Sequence, residues 1–411
     1  MDVPPVAFLL PGLGGGGTER VLINCMAAMG ARGWPVALVV AGQARTLLAD
    51  IPGDVEPVWL KPASAWRSRL DAVCAAPLRV PVLYRPLLAA KRPPSQLNYL
   101  PGLAAYLRGF RPSLVISGLT SLNISLMLAR RLSGAQTRTV VTEHSQLSAD
   151  IEGSKPSDWR RRGLGRVLRA LYEDASAIVA VSAGVADDLA AFASIDRDRI
   201  ETIYNPVITP SFSCRTLTTP DHPWLQGQGI PVILAAGRFG RQKDFGTLVR
   251  AFALLRATRP ARLIILGELR ARSSLEEAGR LMKLAAELGV SADLDLPGFR
   301  LDAPGFMKRA TVFALSSRFE GLPTVLIEAM ACGTPVVSTD CPSGPAEILE
   351  GGRWGELVPI GDAQAMAAAL ARTLDRPVSA EALKRRAARF SAERAAAAYE
   401  QVIELALREQ R

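Results

Sequence analysis

Glu320 and Glu328 are separated by seven residues in the run Arg318-Phe319-Glu320-Gly321-Leu322-Pro323-Thr324-Val325-Leu326-Ile327-Glu328-Ala329-Met330-Ala331-Cys332-Gly333. A carboxylate can accept two hydrogen bonds from a vicinal diol, the group that sugars and ribose present. One of the two can reach a reacting sugar while the other reaches a different part of the same ligand. Glu328 lies among Val325, Leu326, Ile327, Ala329 and Met330, where an unpaired carboxylate is costly. The turn Glu320-Gly321-Leu322-Pro323 predicts a helix over 324–331, with Pro323 at its first position and Gly333 to stop it. The start of that helix, around Leu322, Pro323, Thr324 and Val325, has unpaired backbone N–H groups suited to a phosphate.

A second constellation is Gly237, Arg238 and Lys243, which follows an apolar run and opens another helix. Two cations five residues apart can grip a diphosphate from two sides and stabilise the charge on a leaving nucleoside diphosphate. The third is the loop Gly14-Gly15-Gly16-Gly17-Thr18. It has the look of a dinucleotide-binding turn, but the second strand ends Val39-Val40-Ala41-Gly42-Gln43 without the acidic residue that would hold a nicotinamide cofactor's ribose. The fourth is His144, in Thr142-Glu143-His144-Ser145. A lone histidine is more often structural, but the end of a parallel strand is where ligands bind, which shifts the reading toward function. Asp293-Leu294-Asp295 has metal-chelating spacing and reads as structural, so no metal is expected.

These groups need a scaffold that brings strand ends together. Strands are predicted over 6–10, 36–40, 115–117, 139–142 and 177–181, with a helix over 18–31 and helical patterns between the later ones. The alternation restarts with strands over 232–236, 263–266, 293–296, 312–316 and 335–338, and helices over 244–257, 274–288, 362–375 and 391–409. Strand alternating with helix argues for parallel sheets covered on both faces. The stretch 202–231 is rich in Pro, Thr, Ser and Gly, contains Asn205-Pro206, and reads as an interdomain linker. The expected division is an N-terminal Rossmann-like domain over 1–205, a C-terminal one over 206–390, and a helix over 391–411 packing back toward the first. Two such domains facing across a cleft would place ligands at the carboxyl ends of both sheets.

The 411-residue length fits two domains, and 49% hydrophobic with 21% charged residues fits a globular protein. Five cysteines without a CxxC pair argue against a disulfide framework or zinc site and fit a reducing cytoplasm. No signal peptide or spanning segment is expected. Net charge is +10, and residues 51–150 carry 12 basic against 5 acidic side chains, among them Arg67, Arg69, Arg85, Lys91 and Arg92, mixed with Trp66 and Tyr84. That mixture suits an anionic membrane or a phosphate-bearing acceptor, or is a solvated arginine-rich surface. The absence of any helix-turn-helix, RNP or zinc-finger pattern argues against nucleic acid.

The Glu-x7-Glu segment and the following Gly-Thr-Pro-Val-Val-Ser resemble the signature of the retaining glycosyltransferases of family 4, also called group 1, which adopt the GT-B fold. The resemblance extends through 16–21, 142–145, 203–207, 237–244 and 340–349. It implies that Arg238 and Lys243 bind a donor's phosphates, that Gly15 and Gly16 let backbone approach the donor, that His144 lies against the donor sugar, and that Phe299 and Arg300 lie near the nucleotide base. It implies no cofactor and no metal. The expected reaction moves a hexose or N-acetylhexosamine from a nucleotide-sugar, a UDP-sugar before GDP-mannose, to a glycan or lipid-linked acceptor in bacterial polysaccharide synthesis. The expected place is the cytoplasm or the inner membrane face. The rivals are a sugar-nucleotide epimerase, a glycogen-synthase-like enzyme, and a non-catalytic binding subunit of the same fold. Where the family often has Gly-x-Gly, this chain has Gly267-Glu268-Leu269.

Overall fold

The run Val6–Leu10 is buried along its whole length, as a strand covered on both faces must be. It is β1 of a seven-stranded parallel sheet in the computed structural model, which describes residues 5–90, 93–152, 158–227 and 229–408. The other strands are β2 (Val36–Val40), β3 (Pro57–Trp59), β4 (Leu114–Gly118), β5 (Arg138–Glu143), β6 (Ala177–Ala180) and β7 (Ile200–Thr202). Their order is β3-β2-β1-β4-β5-β6-β7. The chain runs outward from β1 in both directions, so the order reverses between β1 and β4, where Val6 pairs with both Val36 and Leu114.

The second sheet repeats the plan with six parallel strands. These are β8 (Val232–Ala236), β9 (Arg262–Leu266), β10 (Leu294–Gly298), β11 (Val312–Leu315), β12 (Val336–Thr339) and β13 (Glu356–Val358), in the order β10-β9-β8-β11-β12-β13. Its reversal lies between β8 and β11, where Ile233 pairs with Val312.

The chain divides into two compact units, residues 1–206 with 392–411, and residues 207–391. In the first, Phe8, Leu10 and Ile116 pack with Leu22 and Met26 of the helix Gly17–Ala31 and with Tyr399 and Ile403 of the helix Ala392–Arg408. Burying each such side chain contributes about 1.5–3 kcal/mol. Glu400 fastens this last helix by accepting from Arg32 Nε (3.0 Å) and Trp34 Nε1 (2.9 Å). In the second unit, Phe245, Leu248 and Phe252 of the helix Phe245–Arg256 pack on Ile233, Ile265 and Leu370.

The stretch 202–231 is not a plain linker. From Val207 onward it belongs to the second unit, and it holds the short helices Pro210–Arg215 and Pro223–Gln226. Phe212, Leu225 and His222 are buried, and His222 Nε2 lies 2.9 Å from Asp295 Oδ2. Asp293 pairs with Arg256 (2.8 Å), so both aspartates of the Asp-Leu-Asp motif have protein partners. No helix among the described residues is long and apolar enough to cross a membrane.

Candidate active site

The loops that leave β8 and β11 start on either side of the reversal point of the second sheet. A crevice at such a point, outside the carboxyl ends of the strands, is where open parallel sheets bind ligands. The β8 loop carries Gly237, Arg238 and Lys243, and the β11 loop carries Ser317 to Pro323. Several bonds lace the two together. Arg318 N donates to Gln242 O (2.8 Å), Gln242 Nε2 to Phe319 O (3.1 Å), and Ser316 Oγ to Lys243 O (2.8 Å). Arg318 also pairs with Asp244 at 3.1 Å.

Lys243 Nζ donates to Glu320 Oε1 at 2.6 Å, with both side chains largely buried. Ser317 Oγ donates to the same oxygen at 2.6 Å. The clamp therefore differs from two free cations, because Glu320 neutralises Lys243 while Arg238 stays exposed and without an ion pair among the described residues. Gly237 has a steric reason to be glycine. A Cβ there would come within 2.7 Å of Lys243 Cε, so any larger residue would push the lysine off its line to Glu320.

The helix Thr324–Ala331 follows at once. Pro323 is its cap rather than its first residue, and it has no side chain that could bond the first turn. The N–H groups of Thr324 and Val325 thus open the helix with no carbonyl one turn back. Glu328 lies half-buried on the face that carries Thr324 (i, i+4) and Val325 (i, i+3). Leu322 is buried under the turn. Arg300 lies after β10, where it donates to both oxygens of Asp302 (2.9 and 3.0 Å) and sits over the Phe306 ring. This bidentate bond holds the Asp302 carboxyl below its ordinary range. Phe299 beside it is half-exposed.

In the first unit, β5 ends at Glu143 and delivers His144. Thr142 Oγ1 donates to Ser117 O (2.9 Å), so its single proton is spent and it must accept from His144 Nε2 at 2.8 Å. That assigns the Nε2–H tautomer and leaves Nδ1 as a hydrogen-bond acceptor. Burial pushes the imidazole pKa down to about 4, so the ring is neutral at pH 7. A Cβ on Gly118 would lie 2.8 Å from His144 Nε2, so glycine at the end of β4 makes room for the ring. Glu143 points inward, accepting from Thr120 Oγ1 (2.7 Å), Asn123 Nδ2 (3.1 Å) and the Tyr172 hydroxyl. Burial raises its pKa against those bonds.

The glycine loop after β1 is braced from inside. Glu19 Oε2 accepts from Gly15 N (2.9 Å) and Gly16 N (3.0 Å), and Gly15 has φ of 97°, in the left-handed region. The two N–H groups expected to face a donor phosphate therefore carry an internal carboxylate. Sequence reasoning missed Glu19 and Ser317. Gly16-x-x-Glu19 is a capping-box spacing that could have revealed the first, whereas nothing but Ser-x-x-Glu marks the second.

Residues 15–209 match the family described as Glycosyltransferase Family 4, and residues 230–376 match Glycosyl transferases group 1. The lipopolysaccharide core biosynthesis glycosyltransferase LpsE of Rhizobium meliloti is 39% identical over 140 residues, covering 34% of this chain and 38% of that protein. The N-acetylgalactosamine-N,N'-diacetylbacillosaminyl-diphospho-undecaprenol 4-alpha-N-acetylgalactosaminyltransferase of Campylobacter jejuni is 29% identical over 262 residues, covering 64% of this chain and 67% of that one. Of these two curated relatives the chain thus spans little more than a third and about two thirds. Among solved structures, Anabaena HepE in complex with UDP and glucose superposes with a TM-score of 0.66 at 20% identity, covering 99% of this chain and 98% of that one. Both sheets are thus those of the GT-B fold.

Proposed function

This chain belongs to the group 1 glycosyltransferases of family 4, and on that premise we propose that it transfers a hexose or N-acetylhexosamine from a nucleotide-sugar to a glycan or lipid-linked glycan. The observation that carries the reading is the meeting of Lys243 and Glu320 on two loops that flank the reversal point of the second sheet. Arg238 and Lys243, with the N–H groups of Thr324 and Val325, hold the donor diphosphate. Glu328 takes the ribose hydroxyls and Glu320 those of the sugar. In the first unit, Gly15, Gly16 and His144 are assigned to the transferred sugar, with His144 Nδ1 accepting from a hydroxyl.

Transfer proceeds with retention. The bond from the anomeric carbon to the departing phosphate oxygen breaks as the acceptor oxygen bonds to the same face, and the acceptor proton passes to that phosphate oxygen. A cationic clamp supplies the charge stabilisation that the leaving diphosphate needs. UDP-sugar is favoured as donor by the solved relative holding UDP and glucose, with GDP-mannose the alternative. The lipopolysaccharide and diphospho-undecaprenol relatives favour a surface-polysaccharide acceptor at the cytoplasmic face of a membrane. Exposed Trp66, Leu78 and Tyr84, with the arginines of that stretch, favour contact with anionic lipid; Lys91 and Arg92 lie outside the described residues.

A thermal-shift screen across UDP-, GDP- and ADP-sugars tests the donor, and nucleotide release with a lipid-linked acceptor tests transfer. Stabilisation by a UDP-sugar with acceptor-dependent release of UDP supports the reading. Epimer formed from sugar nucleotide alone, or no binding of any nucleotide-sugar, overturns it.

A further inference from the structure

Both hydrogen bonds on the Glu320 carboxylate fall on one oxygen. Lys243 Nζ and Ser317 Oγ each donate to Oε1 at 2.6 Å, and Oε2 has no partner among the described residues. The two donors are not equivalent. Lys243 is a point charge on a flexible four-carbon stem with three protons to share. Ser317 is fully buried at the start of the loop after β11, and its backbone is held by Thr339 Oγ1, which donates to Ser317 O at 2.5 Å. The Glu320 N–H is anchored separately on Pro342 O at 3.2 Å.

From this asymmetry we infer that Ser317 is a positioning residue for the transfer reaction: its hydroxyl keeps Oε1 occupied so that Oε2 is the carboxylate oxygen offered to the donor sugar. The inference rests on the reading of Glu320 given above. A diphosphate beside Lys243 draws the ammonium toward itself, and the bond from Lys243 to Glu320 weakens as the donor binds. Ser317 carries no charge and sits on a fixed backbone, so the diphosphate does not pull it away. Without it, the carboxylate turns about its last torsion while the sugar is in place.

The test compares S317A, S317T and E320Q with the wild-type chain. Turnover, donor KM, melting temperature and the dissociation constants of UDP and UDP-sugar are measured. S317A is expected to bind UDP within about threefold of wild type, since UDP lacks the sugar. It should lose the extra affinity that the sugar confers, and its kcat should fall about tenfold, the scale of one hydrogen bond to a charged group. S317T should recover most of the loss, and S317C, which keeps a weak donor, replaces it if the threonine methyl prevents folding. Unchanged kcat in S317A beside an inactive E320Q overturns the role of Ser317 alone. A parallel fall in UDP affinity and kcat that neither replacement restores makes Ser317 structural and also overturns it. An E320Q chain as active as wild type removes the reading of Glu320, and Ser317 with it.

Discussion

Lys243 and Glu320, far apart in sequence, form a largely buried ion pair at 2.6 Å, each arriving on a loop from a different parallel strand. The pair links the cationic clamp to the acidic motif, so neither charge can be altered without disturbing the other. K243M leaves a carboxylate buried with Ser317 as its remaining donor and should lower stability by about 3 kcal/mol. K243M/E320Q should regain most of that stability while staying inactive, a coupling that denaturant unfolding of the two single variants and the double variant measures.

His144 should show the Nε2–H tautomer by nitrogen NMR and stay neutral down to about pH 4. Its folded pKa lies below the ordinary 6.5, so between those values the unfolded chain binds more protons. Its contribution to stability is complete above pH 6.5 and is lost as pH falls toward 4. In H144F this segment of the stability–pH curve should flatten. T142V should remove the preference between tautomers.

Glu19 should act as a brace and not through its charge. E19A should cost about 1 kcal/mol by freeing the N–H groups of Gly15 and Gly16, and E19Q should cost less because an amide oxygen still accepts. Thermal melts of the two variants separate the outcomes.

Tyr172 donates to the buried Glu143 carboxylate alongside Thr120 and Asn123. Y172F removes one of the three side-chain donors to this buried group, whose pKa burial raises. Stability should fall by about 1–3 kcal/mol, read by urea unfolding at pH 7.

The strands nearest the two reversal points were readable because both faces are covered: Val6–Leu10 and Val232–Ala236 are apolar throughout. The helix Thr324–Ala331 was readable because Pro323 and Gly333 bracket it. Short edge strands such as Ile200–Thr202 and Glu356–Val358 carry too few apolar residues to stand out, and the helix Ala380–Ala387 is masked by its charges. Stretch 202–231 has the composition of a coil, yet Phe212 and Leu225 find a core that local composition does not reveal. The acidic and basic residues of the second unit were legible from type and spacing. What spacing could not convey was that Lys243 and Glu320 bond each other, that Arg300 pairs with Asp302, and that Glu19 reaches back to the glycines. Each of these depends on where a side chain ends.

The helix Ala392–Arg408 completes the hydrophobic core of a unit whose other residues all precede Val207. At ~5–20 residues per second, a ribosome spends on the order of tens of seconds making residues 207–391 before this helix emerges. Throughout that interval Cys25 and Met26 lack the cover of Tyr399 and Ile403, so the nascent first unit presents a sticky groove that a chaperone, or a neighbouring nascent chain, can reach.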